Sequence, residues 1–363
     1  WAGGRVQPTP LAVGNALIHL GGLLKGNVLA VDIGGATTDV FSVIEGGFYR
    51  TVSANLGMSY SMGNVLGEAG TDSVLRWMLG STDEDYVRNW NFNKMIRPTS
   101  LPQTFEELIL EQGVCKEALR LALAHHRSLI RGLKGVQQRR NVSDIFHQEL
   151  TGHTLVEMMD TKVIVGTGGA LSYAPRRSQA AMILIDGLLP EGITDLFVDS
   201  QFLLPHLGVL LEVDKDAAAD IMMGEALIPL GTCVAPVGPK AKPGTLMAEV
   251  TVGNSCYQVI AGKLEVIPLE LELGQDLVIE AVPLGDFDLG KGPKRTVTAQ
   301  VLAGARLILD GRGRPLVFSD DEKTRKEDLA RWYKAMDAYP AEILDNPLGG
   351  EKNGIAVNPQ NSR

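Results

Sequence analysis

The chain has 363 residues, of which 45% are apolar and 21% charged, so it has the composition of a globular protein and not of a disordered one. Its 43 acidic residues outnumber its 34 basic ones, and the net charge of −9 argues against a nucleic-acid partner. No apolar run approaches the ~20 residues of a membrane helix, so we expect no membrane association. The length predicts about two to three domains.

The three cysteines, Cys115, Cys233 and Cys256, are widely spaced and form no CxxC pair. Their number and spacing predict neither a disulfide framework nor a zinc site, and they favour a reducing, cytoplasmic location. The first residue is Trp1 and no signal peptide is visible, so we expect the chain to be the C-terminal part of a longer protein.

The N-terminal part of the sequence predicts one helix followed by a β-meander. Prolines 8 and 10 stand where a helix can begin, and Gly21-Gly22 can end it. Residues 28–33 are continuously apolar except for one aspartate, which predicts a buried strand. After a glycine turn, residues 37–44 and 48–53 are rich in β-branched residues, which predicts two more strands and no helix.

The middle of the chain predicts mainly helices. Residues 57–158 form a helical insertion, in which Thr104 and Glu107 make a capping box and Gly113 is expected to divide two helices. A short buried strand follows at 161–165. Strand-like runs are predicted at 182–186 and 195–199, and helices near 201–212 and 216–228.

Beyond residue 236 the pattern changes to short alternating runs separated by Gly and Pro. The runs at 246–252, 256–260, 264–267, 277–282, 296–303 and 306–309 predict a small β-sandwich or barrel. One charged helix is predicted at about 320–338 and a disordered tail at 341–363. The predicted division is therefore 1–235, 236–318, a helix within 319–340, and the tail.

The segment from Asp32 to Val40 is the most informative in the chain. A strand delivers Asp32 to its end, and Gly34 and Gly35 let the backbone approach an anion and present N–H groups to it. Thr37 and Thr38 add hydroxyl donors. A carboxylate beside a phosphate site is favourable when Mg²⁺ lies between them, so the pattern predicts a magnesium-dependent phosphate site.

Two common phosphate loops do not fit this segment. A P-loop needs a lysine after its glycines, and a dinucleotide-binding loop opens a helix. Here no lysine follows Gly35, and the glycines open a strand. The alternative is a plain hairpin with a glycine turn.

The Asp-Ile-Gly-Gly-Ala-Thr-Thr-Asp-Val run resembles the second phosphate loop of the actin-like ATPase superfamily. Gln7-Pro8-Thr9 before a small apolar helix is similar to its first connecting helix, and Gly166-Thr167-Gly168-Gly169 is similar to its adenosine motif. The resemblance implies an α/β fold, an actin-like, ribonuclease H-like lobe with a helical insertion and a small β-rich C-terminal domain. It also implies ATP or ADP and Mg²⁺ as cofactors.

The resemblance implies a role for each matching residue. Asp32 would bind Mg²⁺, Gln7 would orient the attacking water, Gly34, Gly35, Thr37 and Thr38 would bind the β/γ-phosphates, and Gly166, Gly168 and Gly169 would line the base and ribose.

A closer resemblance rests on the same runs together with residues 192–196 and 310–315. Over about residues 5–335 the chain resembles the glutamate mutase accessory family, called MutL or GlmL and unrelated to the mismatch-repair protein of that name. The resemblance implies an ATP-dependent reactivase or chaperone-like accessory protein whose partner is an adenosylcobalamin-dependent mutase or aminomutase.

The first phosphate loop of the superfamily is absent from this sequence. We therefore expect ATP hydrolysis only if a missing N-terminal lobe is supplied. Two alternatives stay open: a metabolite kinase of the same fold, against which Gln7 argues mildly because it is not an acid, and a nucleotide-binding subunit without hydrolysis.

Overall fold

A computed structural model describes residues 6–80, 82–132, 153–269, 277–301 and 306–345. Its strands are β1 (Asn27–Ile33), β2 (Thr38–Ile44), β3 (Gly47–Ser53), β4 (Thr161–Thr167), β5 (Gly192–Asp199), β6 (Leu227–Ala235), β7 (Leu246–Val252), β8 (Ser255–Ile260), β9 (Leu264–Pro268), β10 (Leu277–Pro283), β11 (Val297–Val301) and β12 (Arg306–Asp310). Its helices are α1 (Thr9–Leu24), α2 (Met62–Ala69), α3 (Thr71–Leu75), α4 (Glu84–Ile96), α5 (Phe105–Leu129), α6 (Gly169–Ser172), α7 (Arg177–Leu188), α8 (Leu204–Leu210), α9 (Lys215–Ile221), α10 (Glu322–Ala335) and α11 (Ala341–Leu344).

The architecture is α/β, built on an eight-stranded mixed sheet in the order β3-β2-β1-β4-β5-β6-β12-β9. The β1-β2-β3 meander is antiparallel, and β1, β4 and β5 are parallel neighbours. The three strands predicted from residue 28 to residue 53 are thus confirmed. Asp32 lies opposite Asp39 on β2 and Thr167 on β4, so it stands at the carboxyl-terminal edge of the parallel strands.

Helices cover both faces of this sheet and bury its apolar side chains. On one face, α1 and α8 pack on β1, β2 and β4. An added Cβ at Gly208 would lie 1.8 Å from the carbonyl oxygen of Ala12, so α1 and α8 touch backbone to backbone. On the other face, α5 and α7 form the core together with α2, α3 and α4.

In its described part, the helical middle region differs from the sequence prediction at two points; residues 133–152 of the predicted insertion lie outside the described residues. Helix α5 runs without a break through Gly113, because the missing side chain there makes room for Trp77, whose Cβ would lie 3.3 Å from an added Cβ. Residues 182–186, predicted as a strand, lie within α7. Every residue of α7 from 178 to 188 is buried, so its sequence lacks the helical periodicity that exposes one face.

The C-terminal half adds to the main sheet and forms a second one. The sequence did not predict β6 as a strand, because Pro229 and Gly231 are residue types that commonly form turns. In the structure these two residues flank a bulge where β6 pairs with β5. β9 and β12 extend the main sheet, whereas β7, β8, β10 and β11 form a four-stranded antiparallel sheet. Each of the six predicted runs contains a strand, with residues 302–303 lying outside the described part of the chain, but the strands divide between two sheets, and the domain boundaries at 235 and 318 stay predictions.

Buried charges tie the 310–314 run to the helices. The Arg312 side chain is fully buried and donates to both carboxylate oxygens of Asp310, at 2.9 Å each, and to Asp186, at 2.8 Å. Lys116 reaches the other oxygen of Asp186 at 2.8 Å. Because each charged group in this network contacts a group of opposite charge, the cost of burying the charges in the core is offset.

The last described elements are α10, as predicted, and the short α11. The tail was predicted to be disordered from residue 341, but Ala341–Leu344 are helical, and Ile343 and Leu344 are buried against the core. The rest of the predicted tail lies outside the described residues. Among the residues with described positions, no helix is both long enough and apolar enough to span a membrane.

Candidate nucleotide-binding site

The chain topology places Gln7 toward the same edge of the sheet as Asp32. β1 follows α1 after a turn at Lys25 and Gly26, so the two elements run in opposite directions. The 16 residues of α1 and the 7 residues of β1 span similar lengths, because a helix rises ~1.5 Å per residue and a strand ~3.3 Å. The start of α1, with Gln7 just before it, therefore stands at the level of Asp32. The Gln7 side-chain oxygen accepts a 3.4 Å hydrogen bond from Asn15.

The loop after β1 presents three consecutive backbone N–H groups. Gly34 closes the turn by donating to the carbonyl of Thr37 at 2.9 Å. The carbonyls of Gly34 and Gly35 in turn accept 2.9 Å hydrogen bonds from residues 58 and 59. Within the described part of the chain, the N–H groups of Gly35, Ala36 and Thr37 find no acceptor. Successive unpaired amides of this kind are groups that can bind an anion.

Gly57, in the segment after β3, packs directly against this loop. An added Cβ at Gly57 would lie 2.5 Å from the carbonyl carbon of Ala36, so the chain at 57 presses directly on the loop. Thr38 contributes to the same packing: its hydroxyl is buried and donates to the carbonyl of Leu56 at 2.7 Å. The Thr38 side chain therefore points into the protein, while Thr37 is half-buried at the loop surface.

Two glycine corners, Gly34–Gly35 after β1 and Gly168–Gly169 after β4, meet at the end of β1. Gly168 has φ +100°, and an added Cβ would lie 2.2 Å from the carbonyl oxygen of Ile33, so only glycine fits there. Gly169 begins α6 beside open space. Gly166 does not face this corner, because an added Cβ would meet Leu171 and Leu184 in the core, at 2.9 and 3.0 Å.

Three carboxylates converge here, and one of them lacks a partner. Burial, Asp39 and Asp199 together raise the pKa of Asp32 above its ordinary value. Asp39 is paired with Arg50 at 2.7 Å. The buried Asp199 accepts three backbone N–H groups that begin the turn into α8. No described residue donates a hydrogen bond to Asp32, so its charge is the uncompensated one.

The residues present fit a magnesium ion shared with phosphates. Among the described residues, no group of three or more His, Cys, Asp or Glu side chains could hold a metal by itself. Mg²⁺ commonly takes one or two carboxylates and completes its shell with water and phosphate oxygens. A lone, half-buried Asp32 beside an amide-lined loop is such a donor set.

Sequence reasoning missed two groups at this edge. Asp199 follows β5, and only the strand order shows that it faces Asp32. Tyr173 ends α6 with 72% of its surface exposed, and its ring centre lies 5.7 Å from that of Phe202. Phe202 has φ +57°, an uncommon conformation for a residue with an aromatic side chain. Neither ring belongs to a motif, so no sequence signal marks them.

The described cavities lie elsewhere. One, of about 440 Å³, opens between α2 and α4. Another, of about 320 Å³, lies between α5 and the end of α7.

These features define an α/β protein whose sheet carries, at one edge, two glycine corners on either side of an unpaired carboxylate. The model of the MutL protein family matches residues 1–225, more than half of the chain. The chain belongs to this family, the glutamate mutase accessory family that the motifs predicted.

Protein MutL of Clostridium tetanomorphum is 25% identical to the chain over 246 residues, which are 60% of this chain and 50% of that protein. The chain thus spans about half the length of this relative. Component A of (R)-2-hydroxyglutaryl-CoA dehydratase from Acidaminococcus fermentans aligns with 57% of this chain and 69% of its own, at 14% identity and a TM-score of 0.27.

Proposed function

We propose that the edge at Asp32 binds ATP or ADP with Mg²⁺, in an actin-like ATPase lobe. The observation that carries the proposal is the run of backbone N–H groups at Gly35, Ala36 and Thr37, for which the described residues offer no acceptor, next to a carboxylate that no described cation compensates. A polyphosphate satisfies the amides, and Mg²⁺ relieves the repulsion between phosphate and Asp32.

Each group at the edge has a role in this proposal. Asp32 holds the ion, through water or directly, and Gln7 at the start of α1 orients the attacking water. The loop amides and the Thr37 hydroxyl bind the β/γ-phosphates. Gly168 and Gly169 let the backbone approach the ribose and base, and the exposed ring of Tyr173 offers the base a stacking surface. Bound Mg²⁺ supplies charge neutralisation of the transferring phosphoryl group.

Two predicted ligand residues act indirectly in this proposal. The Thr38 hydroxyl fixes the loop to the carbonyl of Leu56. Gly166 lets β4 pack closely against α7, where any side chain would collide with Leu184. Both residues therefore position the binding groups, and neither need touch the nucleotide.

We infer further that nucleotide binding serves an accessory role, as an ATP-dependent reactivase or chaperone for an adenosylcobalamin-dependent mutase or aminomutase. Membership of the MutL family supports this role. Closure of two lobes around the nucleotide would grip the client enzyme, and hydrolysis would release it. The second lobe and its phosphate loop would come from the remainder of a longer protein.

The test is nucleotide binding and turnover by the full-length protein, with Asp32→Asn compared with Asp85→Asn, an exposed carboxylate on α4. We expect Asp32→Asn to weaken Mg²⁺–ADP binding by at least about tenfold and to abolish turnover, because one charge-assisted ligand is lost. The Asp85→Asn variant should match the wild type. Unchanged binding and turnover in Asp32→Asn would contradict the proposal.

The client role has its own test. Turnover that rises on adding an adenosylcobalamin-dependent mutase supports the reactivase. Turnover that rises with a small metabolite instead favours a kinase, and ADP binding without turnover favours a non-hydrolysing subunit.

A further inference from the structure

The cavity between α5 and the end of α7 lies near the edge of the sheet opposite to Asp32. The 320 Å³ cavity is lined by one face of α5, at Arg120, Leu123, Ala124 and Arg127, and by the end of α7 at residues 187–189. Because α7 leads into the start of β5, whereas Asp199 ends β5, the cavity stands roughly 23 Å from the nucleotide edge. It is therefore separate from the site proposed above.

Three arginines line this cavity, and the carboxylates that face them are shared or distant. Glu117 pairs with both Arg76, at 2.5 Å, and Arg120, at 2.7 Å. Arg127 lies 3.6 Å from Glu157, a loose ion pair. The lining residues themselves are three arginines and one carboxylate, so the lining carries a formal excess of positive charge.

Arg314 is the third arginine, and it is buried, with 2% of its side chain exposed. It donates to the carbonyl of Pro190 at 2.7 Å, to that of Gly313 at 2.9 Å and to Asp310 at 2.9 Å. Asp310 is already shared with Arg312. Arg314 therefore acts on the cavity as a fixed buried positive charge, while Arg120 and Arg127, with 39% and 38% of their side chains exposed, have accessible guanidinium groups.

The cavity also contains one carboxylate, Glu191. Its side chain makes no hydrogen bond and no ion pair with another described residue, although Arg314 and Arg127 act on it electrostatically. Burial raises the pKa of Glu191, and the two arginines oppose that shift. The remaining wall is apolar, with Leu123, Leu188, Leu189, Met158 and Pro315.

We propose that this cavity binds a small organic anion that has an apolar body and one N–H or O–H donor. The arginines receive the anionic group, the leucines and Met158 contact the body, and Glu191 accepts from the donor. The volume falls at the small end of natural ligand sites, which fits a small molecule.

The probe for this site is 8-anilinonaphthalene-1-sulfonate, which combines a sulfonate, apolar rings and one N–H. Titration of the full chain, followed by probe fluorescence, should show saturable binding to one site. Arg127→Gln should weaken it by about tenfold through loss of a charge-assisted hydrogen bond. Ala124→Trp should also weaken it, because the indole fills the cavity. Arg88→Gln, an exposed ion-paired arginine on α4, is the matched control and should bind like the wild type.

A second pair of measurements tests the donor contact. Glu191→Leu should weaken binding of the anilino probe but not of naphthalene-1-sulfonate, which lacks the N–H. Asp32→Asn should leave both probes unaffected. Circular dichroism confirms that each variant is folded. Probe binding that does not saturate, or that is equal in the wild type, Arg127→Gln and Ala124→Trp, would overturn the proposal.

Discussion

Acid should weaken the fold through one buried histidine, His126 of α5. Its side chain is buried between β2 and β3, where Nε2 lies 2.9 Å from the Ser42 hydroxyl and Nδ1 lies 3.0 Å from the Thr51 hydroxyl. Burial, with a smaller contribution from His125, lowers the pKa of His126 from 6.5 to about 4. The neutral ring is therefore the form that packs in the folded protein.

The sign and size of the effect follow from proton linkage. As the pH falls, the unfolded chain protonates His126 near 6.5, while the folded chain resists until about 4. The unfolded state binds more protons in that window, so stability falls with falling pH. The full shift is worth about 3 kcal/mol, of which about 2 kcal/mol is lost between pH 8 and pH 5.

The assay is urea unfolding at pH 8 and pH 5 of the wild type, His126→Gln and His153→Gln, an exposed histidine. Glutamine keeps a donor and an acceptor for the two hydroxyls but cannot be protonated. His126→Gln should be the less stable protein at pH 8, and its deficit should shrink by about 2 kcal/mol at pH 5. His153→Gln should follow the wild type. An equal loss of stability with pH in wild type and His126→Gln would refute the reasoning.

Three further predictions concern backbone strain, buried charge and the metal ligand. Gly168→Ala should lower stability by about 2–3 kcal/mol because its φ is +100° and its Cβ would strike the end of β1, whereas Gly169→Ala, beside open space, should cost little; thermal unfolding measures both. Arg312→Met should cost about 3–5 kcal/mol because Asp310 and Asp186 each lose one of two buried cationic partners, against about 1 kcal/mol or less for the exposed Arg331→Met, in urea unfolding. Mg²⁺–ADP binding, by calorimetry, should weaken as the pH falls toward the raised pKa of Asp32, because the ion needs the carboxylate; the weaker binding of Asp32→Asn should lack that pH dependence.

Local sequence patterns predicted the strands and the turn of the candidate site, because the residues that form them are contiguous in the chain. The Asp32–Thr38 corner combines a buried strand, a glycine turn and a β-branched run, and each of these has a local cause. The same reasoning could not show that the Thr38 hydroxyl turns inward or that Asp199 faces Asp32. Those facts depend on the contact with Leu56 and on strand order, which join residues far apart in the chain.

The structural errors also have physical causes. Helix α7 is buried on all sides, so its apolar run carries no period that distinguishes a helix from a strand. Gly113 was expected to divide a helix, but the packing of Trp77 over its bare Cα makes it an interior residue. β6 was missed because the residues that form its bulge, Pro229 and Gly231, are also the residues that form turns.

The position of β6 between β5 and β12 bears on how the chain can be shortened. A protein ending at residue 235 would lose β12 and β9, and the outer side of β6 would expose a row of unsatisfied main-chain groups. Such an edge recruits strands from other molecules, so we expect that truncated form to aggregate. Recombinant versions intended for crystallisation should therefore extend at least through Leu344, whose buried side chain completes the core.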